Sequence, residues 1–190
     1  MNNIKIFDHD LPEDIDLSNE KLIGLDCEAL GLVIGRDPLT LIQLGLETKK
    51  YYLIKLNRDN YHAPNLKKVL SNKNIQFVMH YARQDLMWLK YHLDAKIENI
   101  FCTKLASKIA RTASSNHGYK DLVKELCGKD ISKKEQQSDW GNPNLTEKQI
   151  SYAAQDTEFL FEIKNKLTNM LIREKRIELF KKSLKVIPTL

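Results

Sequence analysis

Cysteine is scarce in this 190-residue chain, with three residues. Cys27, Cys102 and Cys127 are too far apart for a small disulfide framework, and no C-x-x-C spacing offers a thiolate metal site. Glycine and proline are also few, at seven and five; no Pro/Gly/Ser-rich tract marks a linker, and no internal repeat divides the chain. No apolar run approaches the ~20 residues that span a bilayer. The opening Met1-Asn-Asn-Ile-Lys-Ile-Phe-Asp has neither the apolar segment nor the small-residue cleavage site of an export leader. These absences exclude a spanning membrane protein and a disulfide scaffold, and predict one domain over 1–190, cytoplasmic, with reduced cysteines. Acid is in mild deficit, 25 Asp/Glu against 30 Lys/Arg, so the net charge is +5 and the pI about 9.0. That balance favours a polyanionic partner only slightly, because surplus lysine also serves solubility.

What is present reads as strands followed by helices. Lys21 to Asp26, Leu39 to Leu46 and Tyr51 to Leu56 are apolar runs of strand length, with turn residues Gly35, Asp37 and Pro38 between the first two, which predicts an antiparallel meander. Pro64 suits the first turn of a helix through Leu70. Another strand follows at Ile75 to Met79, then a helix over about 82–93. Helical patterns recur at about 102–111, 118–127 and 146–184, broken by a polar loop over 129–144. Strands gathered early and helices late predict an α/β fold, a mixed sheet with helices packed against it.

Against this frame, three groups of polar residues stand out. Asp26-Cys27-Glu28 ends an apolar strand, and the period of two puts both carboxylates on one face, where they repel unless a cation or donors offset them. Asp85 adjoins the apolar stripe of Ala82, Leu86, Leu89 and Leu93 on its helix. Tyr152 and Asp156 lie four apart on an otherwise apolar helix face continued by Phe159 and Ile163. Each alone has an ordinary structural reading: a solvated strand end, an acid near a helix N-terminus, a tyrosine bonded to a carboxylate. Together, four carboxylates suit two divalent cations, Mg²⁺ or Mn²⁺, in a phosphodiesterase site. Asp26 would bridge them, Glu28, Asp85 and Asp156 would complete the coordination, and Tyr152, a poor base at its usual pKa near 10, would orient the attacking water.

The order Asp26-x-Glu28, Asp85, Tyr152-x-x-x-Asp156 resembles the DEDDy exonucleases, and within them the ribonuclease D family. His80-Tyr-Ala-Arg-Gln-Asp85 resembles the family's second motif, with Tyr81 and Gln84 departing from it, and Gln136-Gln-Ser-Asp-Trp140 belongs to the third region. The resemblance implies a ribonuclease H-like, DnaQ-like exonuclease fold and 3′-to-5′ hydrolysis that releases nucleoside 5′-monophosphates. It also implies that the helical HRDC-type domain is missing. The compact form, with His117-Gly118 and the segment from Ser132 to Trp140, is similar to the nanoRNase C subfamily, which implies short RNA down to dinucleotides as substrate and a homo-oligomeric ring. By that likeness Leu30 is a wedge against the terminal bases, with an ordinary core leucine as the alternative. Further substrate candidates are Gln43, which would reach sugar or base, His80 and His117 as phosphate contacts, and Lys133-Lys134, Lys134 above all, in the polar loop; for each a structural role competes. Trp140 is read as a packing anchor. Other functions compatible with these residues are general RNA 3′-end trimming, DNA exonuclease activity, and a silent nucleic-acid-binding module, which the intact acids argue against.

Overall fold

The computed structural model describes residues 3–187. Its sheet has six strands, β1 (Ile4–Asp8), β2 (Leu22–Ala29), β3 (Leu39–Leu46), β4 (Tyr51–Lys55), β5 (Gln76–Met79) and β6 (Ile100–Cys102), in the order β1-β4-β3-β2-β5-β6. The predicted meander is present, since β2, β3 and β4 pair antiparallel, while β1, β5 and β6 join in parallel. β1 and β6 were not anticipated: β1 is a mostly exposed five-residue edge strand, and β6 has only three residues. Both fall below what periodicity can register. The helices are α1 (Pro64–Leu70), α2 (Arg83–Leu93), α3 (Thr103–Ala110), α4 (Tyr119–Leu122), α5 (Glu147–Glu158), α6 (Leu160–Arg173) and α7 (Ile177–Leu184). No helix among the described residues is long and apolar enough to cross a membrane.

Strand alternation sorts the sheet into two faces. Ile23, Leu25, Ile42, Leu44, Ile54, Phe77 and Met79 face α1 and α2, where Leu66, Leu70, Trp88 and Leu89 complete a buried core. On the other face Leu41 and Leu53 meet Ala153 of α5, and Val78 meets Leu160 and Ile163 of α6. Gly24 and Gly45 are cross-strand partners on this second face. A Cβ on Gly45 would come within 2.5 Å of Thr157 Oγ1, so only glycine lets the end of α5 settle on the sheet. Asp26 and Glu28 share the face of Gly24, and the approach of α5 therefore brings Asp156 to them.

The long helical pattern over 146–184 divides into α5, α6 and α7. The first break has a visible cause. The Phe159 amide donates to the Tyr119 hydroxyl (3.2 Å), which donates to the Gln155 carbonyl (2.9 Å). These two backbone groups would otherwise bond each other, so the inserted hydroxyl opens the ladder and α5 ends there. Phe159 consequently does not extend the Tyr152–Asp156 stripe as the unbroken pattern implied; it sits at the joint with φ −99° and ψ 0°.

Candidate active site

β2 runs on through Glu28 to Ala29 rather than ending at Asp26. Carboxylate oxygens of Asp26, Glu28 and Asp156 lie within 4.8 Å of one another. Asp85, in the first turn of α2 and only 7% exposed, is outside that triple but lines the same cleft, of about 320 Å³. The acids disturb one another as the sequence implied. Burial, then the charges of Asp85, Asp156 and Glu28, push the Asp26 carboxyl well above its usual range. Burial and the charges of Asp156 and Asp85 raise Glu28 to about 9. Burial raises Asp85 strongly and takes Asp156 to about 7, the latter opposed by the Tyr152 hydroxyl bonded to it and by Lys133. Burial first, then the nearby acids, hold the Tyr152 phenol well above its ordinary value, so it remains protonated. Cys27, between the acids, has its thiol pushed up by burial and by Asp85, Asp26 and Glu28, which excludes a thiolate there.

An all-carboxylate donor set held this close is what hard divalent cations require, and the residues present fit such a group. Asp26, Glu28 and Asp156 would hold it, with Asp85 beside them.

The weaker candidates fare unevenly. Gln43 pairs across from Asp26 and is 0% exposed, with both amide heteroatoms buried and unpartnered; it packs beneath α5 and cannot reach a substrate. His117 lies outside the cleft wall, its Nδ1 2.8 Å from Ser107 Oγ in a cluster that Arg111 also joins. That contact ties it to the loop beside Gly118, which does line the cleft. His80 does line the cleft, but burial, with Lys104 and Lys133 nearby, lowers its pKa to about 3. An uncharged ring is no electrostatic clamp for phosphate. Lys134 is exposed and outside the cleft; its neighbour Lys133 lines it. Lys133 precedes and Lys134 opens the short 3-10 turn Lys134–Gln137. Leu30 is not a core leucine: it is 38% exposed, on a loop braced where the Asp37 carboxylate accepts from Val33 N–H (2.9 Å) and pairs with Arg36. Trp140 is the expected anchor, 4% exposed against Tyr152.

Sequence reasoning missed Lys104, Tyr119 and Gly118 in the cleft wall. Lys104 lies over the Tyr81 ring at 3.9 Å, and Tyr81 takes the left-handed backbone (φ 62°) that turns it outward. Only the positive charge of Lys104 was visible in sequence, and that is common. The polar loop over 129–144 does border the cleft, through Ile131, Ser132, Lys133 and Gln136. It is tied to α5 by Gln149, whose amide donates to the Asp139 carbonyl (3.0 Å) while its oxygen closes the capping box with Thr146.

Asp26 and Glu28 on one sheet face, with Asp156 of α5 and Asp85 of α2 at the same cleft, are the donor set that metal-dependent phosphodiester hydrolases use. The chain belongs to the 3′-5′ exonuclease family, whose model matches residues 4–172. NrnC of Brucella melitensis is 33% identical with a TM-score of 0.94, the match covering 100% of this chain and 91% of that one. That Brucella protein has also been solved with bound Mg²⁺ and bound to pGG. Ribonuclease D of Xanthomonas oryzae pv. oryzae is 30% identical over 168 residues, 88% of this chain and 46% of that protein. The exosome exonuclease RRP6 of Saccharomyces cerevisiae is 31% identical over 163 residues, 85% of this chain and 22% of its own length. The chain thus spans less than half the length of these two curated relatives.

The Tyr119 insertion carries a prediction for this family's chemistry. In Tyr119→Phe the Phe159 amide can close directly on Gln155, which turns Asp156 relative to Glu28. A fall in kcat of up to about a hundredfold is expected, the size that small misplacements of reacting groups produce, with KM little changed. Steady-state kinetics on RNA check this, and an unchanged kcat would show that the break does not aim Asp156.

Proposed function

We propose that the chain is an exoribonuclease that hydrolyses RNA from the 3′ end to nucleoside 5′-monophosphates, with very short RNA, down to dinucleotides, favoured. The observation that carries the reading is the triple of Asp26, Glu28 and Asp156 oxygens within 4.8 Å, with Asp85 alongside. These four residues would hold two divalent cations, Mg²⁺ or Mn²⁺. When bound, such cations neutralise phosphate charge and make water a better nucleophile at neutral pH.

The protein's own groups then divide the remaining tasks. Tyr152, protonated and bonded to Asp156, orients the attacking water by hydrogen bonding and takes no proton from it. Lys104 and Lys133, both lining the cleft, attract the phosphate oxygens. Leu30, exposed two residues beyond Glu28 and just outside the cleft lining, wedges against the terminal bases, where apolar contact tolerates any sequence. A cleft of about 320 Å³ lies at the small end of ligand pockets, which supports a short substrate. The reading includes a homo-oligomer, for which Leu32 (81% exposed) and Val33 supply apolar surface.

The test is single-turnover digestion of 5′-labelled RNAs of two, seven and twenty nucleotides with Mg²⁺, for the wild type and Leu30→Ala. The dinucleotide is expected to be cut fastest, and Leu30→Ala to slow it by about tenfold, in keeping with 1–3 kcal/mol per stacked base. Efficient laddering of the longest RNA would point instead to general 3′-end trimming. Absence of cleavage on all three would overturn the catalytic reading for RNA.

A further inference from the structure

His80 has its hydrogen-bonding polarity set from inside the fold. Its Nδ1 lies 2.9 Å from Thr103 Oγ1, and that hydroxyl donates to the Met79 carbonyl at 3.1 Å. A carbonyl oxygen only accepts, so the single hydroxyl hydrogen of Thr103 is committed to it, and Oγ1 meets the imidazole as an acceptor. Nδ1 must therefore carry the ring hydrogen. The ring is uncharged, since burial beside Lys104 and Lys133 takes its pKa down to about 3, and a neutral imidazole has one N–H. Nε2 is left as a bare acceptor. Thr103 is 0% exposed, so solvent cannot reset this arrangement, and the Tyr119 ring packs against the imidazole with centroids 5.7 Å apart. Nε2 itself stays accessible: His80 lines the cleft, and this nitrogen is not among the buried unpartnered atoms of the described residues.

We infer that His80 Nε2 reads the sugar, accepting a hydrogen bond from a ribose hydroxyl of the nucleotide held in the cleft; this rests on the exoribonuclease reading above. A phosphate oxygen would set lone pair against lone pair at this nitrogen, and the neutral ring offers it no charge. Lys104 and Lys133, which only donate, take the anionic oxygens instead. A nucleotide presents two kinds of hydrogen to an acceptor, sugar hydroxyls and base N–H groups, the latter exocyclic amines and, in guanine and uracil, ring N–H. These N–H groups change with the base while every ribonucleotide carries the hydroxyls, so an acceptor in a sequence-tolerant site is matched to the hydroxyl. If the bonded hydroxyl is the 2′-OH, the contact separates ribonucleotides from deoxyribonucleotides, and if it is the 3′-OH, the contact selects a free 3′ end, because a site built for a hydroxyl leaves its acceptor unpaired when the hydroxyl is absent.

The experiment uses the reaction product, which is not hydrolysed further. Calorimetry on the full chain with Mg²⁺ measures binding of AMP, its 2′-deoxy and 3′-deoxy analogues, and purine ribonucleoside 5′-monophosphate, which lacks the base amine. The wild type is expected to bind AMP roughly three- to tenfold more tightly than the analogue missing the bonded hydroxyl, the yield of one net hydrogen bond. The amine-free nucleotide should match AMP, and His80→Leu should bind all four alike at the weaker level. An unchanged hydroxyl preference in His80→Leu, or a loss that follows the amine, overturns the inference. As a measurement that needs no variant, ¹⁵N–¹H correlation spectra near pH 7 should show His80 protonated at Nδ1 and bare at Nε2, and the reverse tautomer also overturns it. Failure of the exoribonuclease reading looks different: a wild type with the expected tautomer and hydroxyl preference that leaves RNA uncut.

Discussion

Asp26→Asn is expected to cut RNA turnover by at least about a thousandfold while raising the thermal stability of the metal-free protein. Asp26 lies between Glu28 on its own strand and Asp156 on α5, and three neighbouring acids act on it. As asparagine it keeps its volume and loses the charge that holds a divalent cation. Losing several kcal/mol of stabilisation of developing phosphate charge corresponds to three or more factors of ten, at 1.36 kcal/mol each. The same change removes a carboxyl whose burial among other acids folding must offset by taking up a proton, and so stabilises the fold in the absence of metal above the acid range. Single-turnover rates with Mg²⁺ and melting curves in EDTA test both halves together. A near wild-type rate would remove Asp26 from the mechanism. A slow variant that also melts earlier in EDTA would mean that the side chain supports the fold instead.

The second large effect is on stability as a function of pH and metal. Glu28 is raised to about 9 and Asp156 to about 7 in the folded protein, from ordinary values of 4.5 and 3.8. Between those limits the folded state binds more protons than the unfolded chain, so unfolding free energy falls as pH rises. The metal-free protein should therefore be most stable near pH 4, losing stability as pH climbs through about 7 and again through about 9. A divalent cation competes with those protons and reverses the trend. At a hundred times its dissociation constant a ligand adds about 2.7 kcal/mol, which for a chain of this size raises Tm by roughly 5–10 °C. The rise on adding Mg²⁺ or Mn²⁺ should be largest at pH 8 and small at pH 5, as differential scanning fluorimetry across that range can show. A metal-induced shift equal at both pH values would mean that these carboxylates do not hold the ion.

Local signals in the chain sufficed for some of this and not for the rest. β3 and α1 were legible to the residue because an eight-residue apolar run and a proline at the helix start are self-contained. The edge strand β1 was not, since its pairing with β4 is parallel and spans nearly fifty residues. The break between α5 and α6 was equally hidden: its cause is a tyrosine hydroxyl about forty positions away. Among the site residues, acids stood out because an isolated carboxylate against apolar neighbours is costly and needs a reason. Gln43 drew notice by the same logic; its polar amide is buried among apolar strand residues, outside the cleft lining. Lys133 and Lys134 differ by one position on a short turn, a distinction that charge alone does not make.

The sequence by itself determined the chemical inventory: four carboxylates and a tyrosine at fixed spacings, two of the acids forced onto one strand face by the period of two, and an order that matches a family. Tertiary structure alone decided how those pieces meet. Gly24 and Gly45 form a bare patch only once β2 and β3 are paired, and α5 can approach the sheet only over that patch, which is what carries Asp156 to Asp26 and Glu28. The tautomer of His80 likewise depends on Thr103 of a different element and on a carbonyl of β5. The physical reason is common to both. Residue type and local period are properties of a few consecutive positions, whereas close approach and hydrogen-bond polarity depend on atoms that only the folded chain makes neighbours.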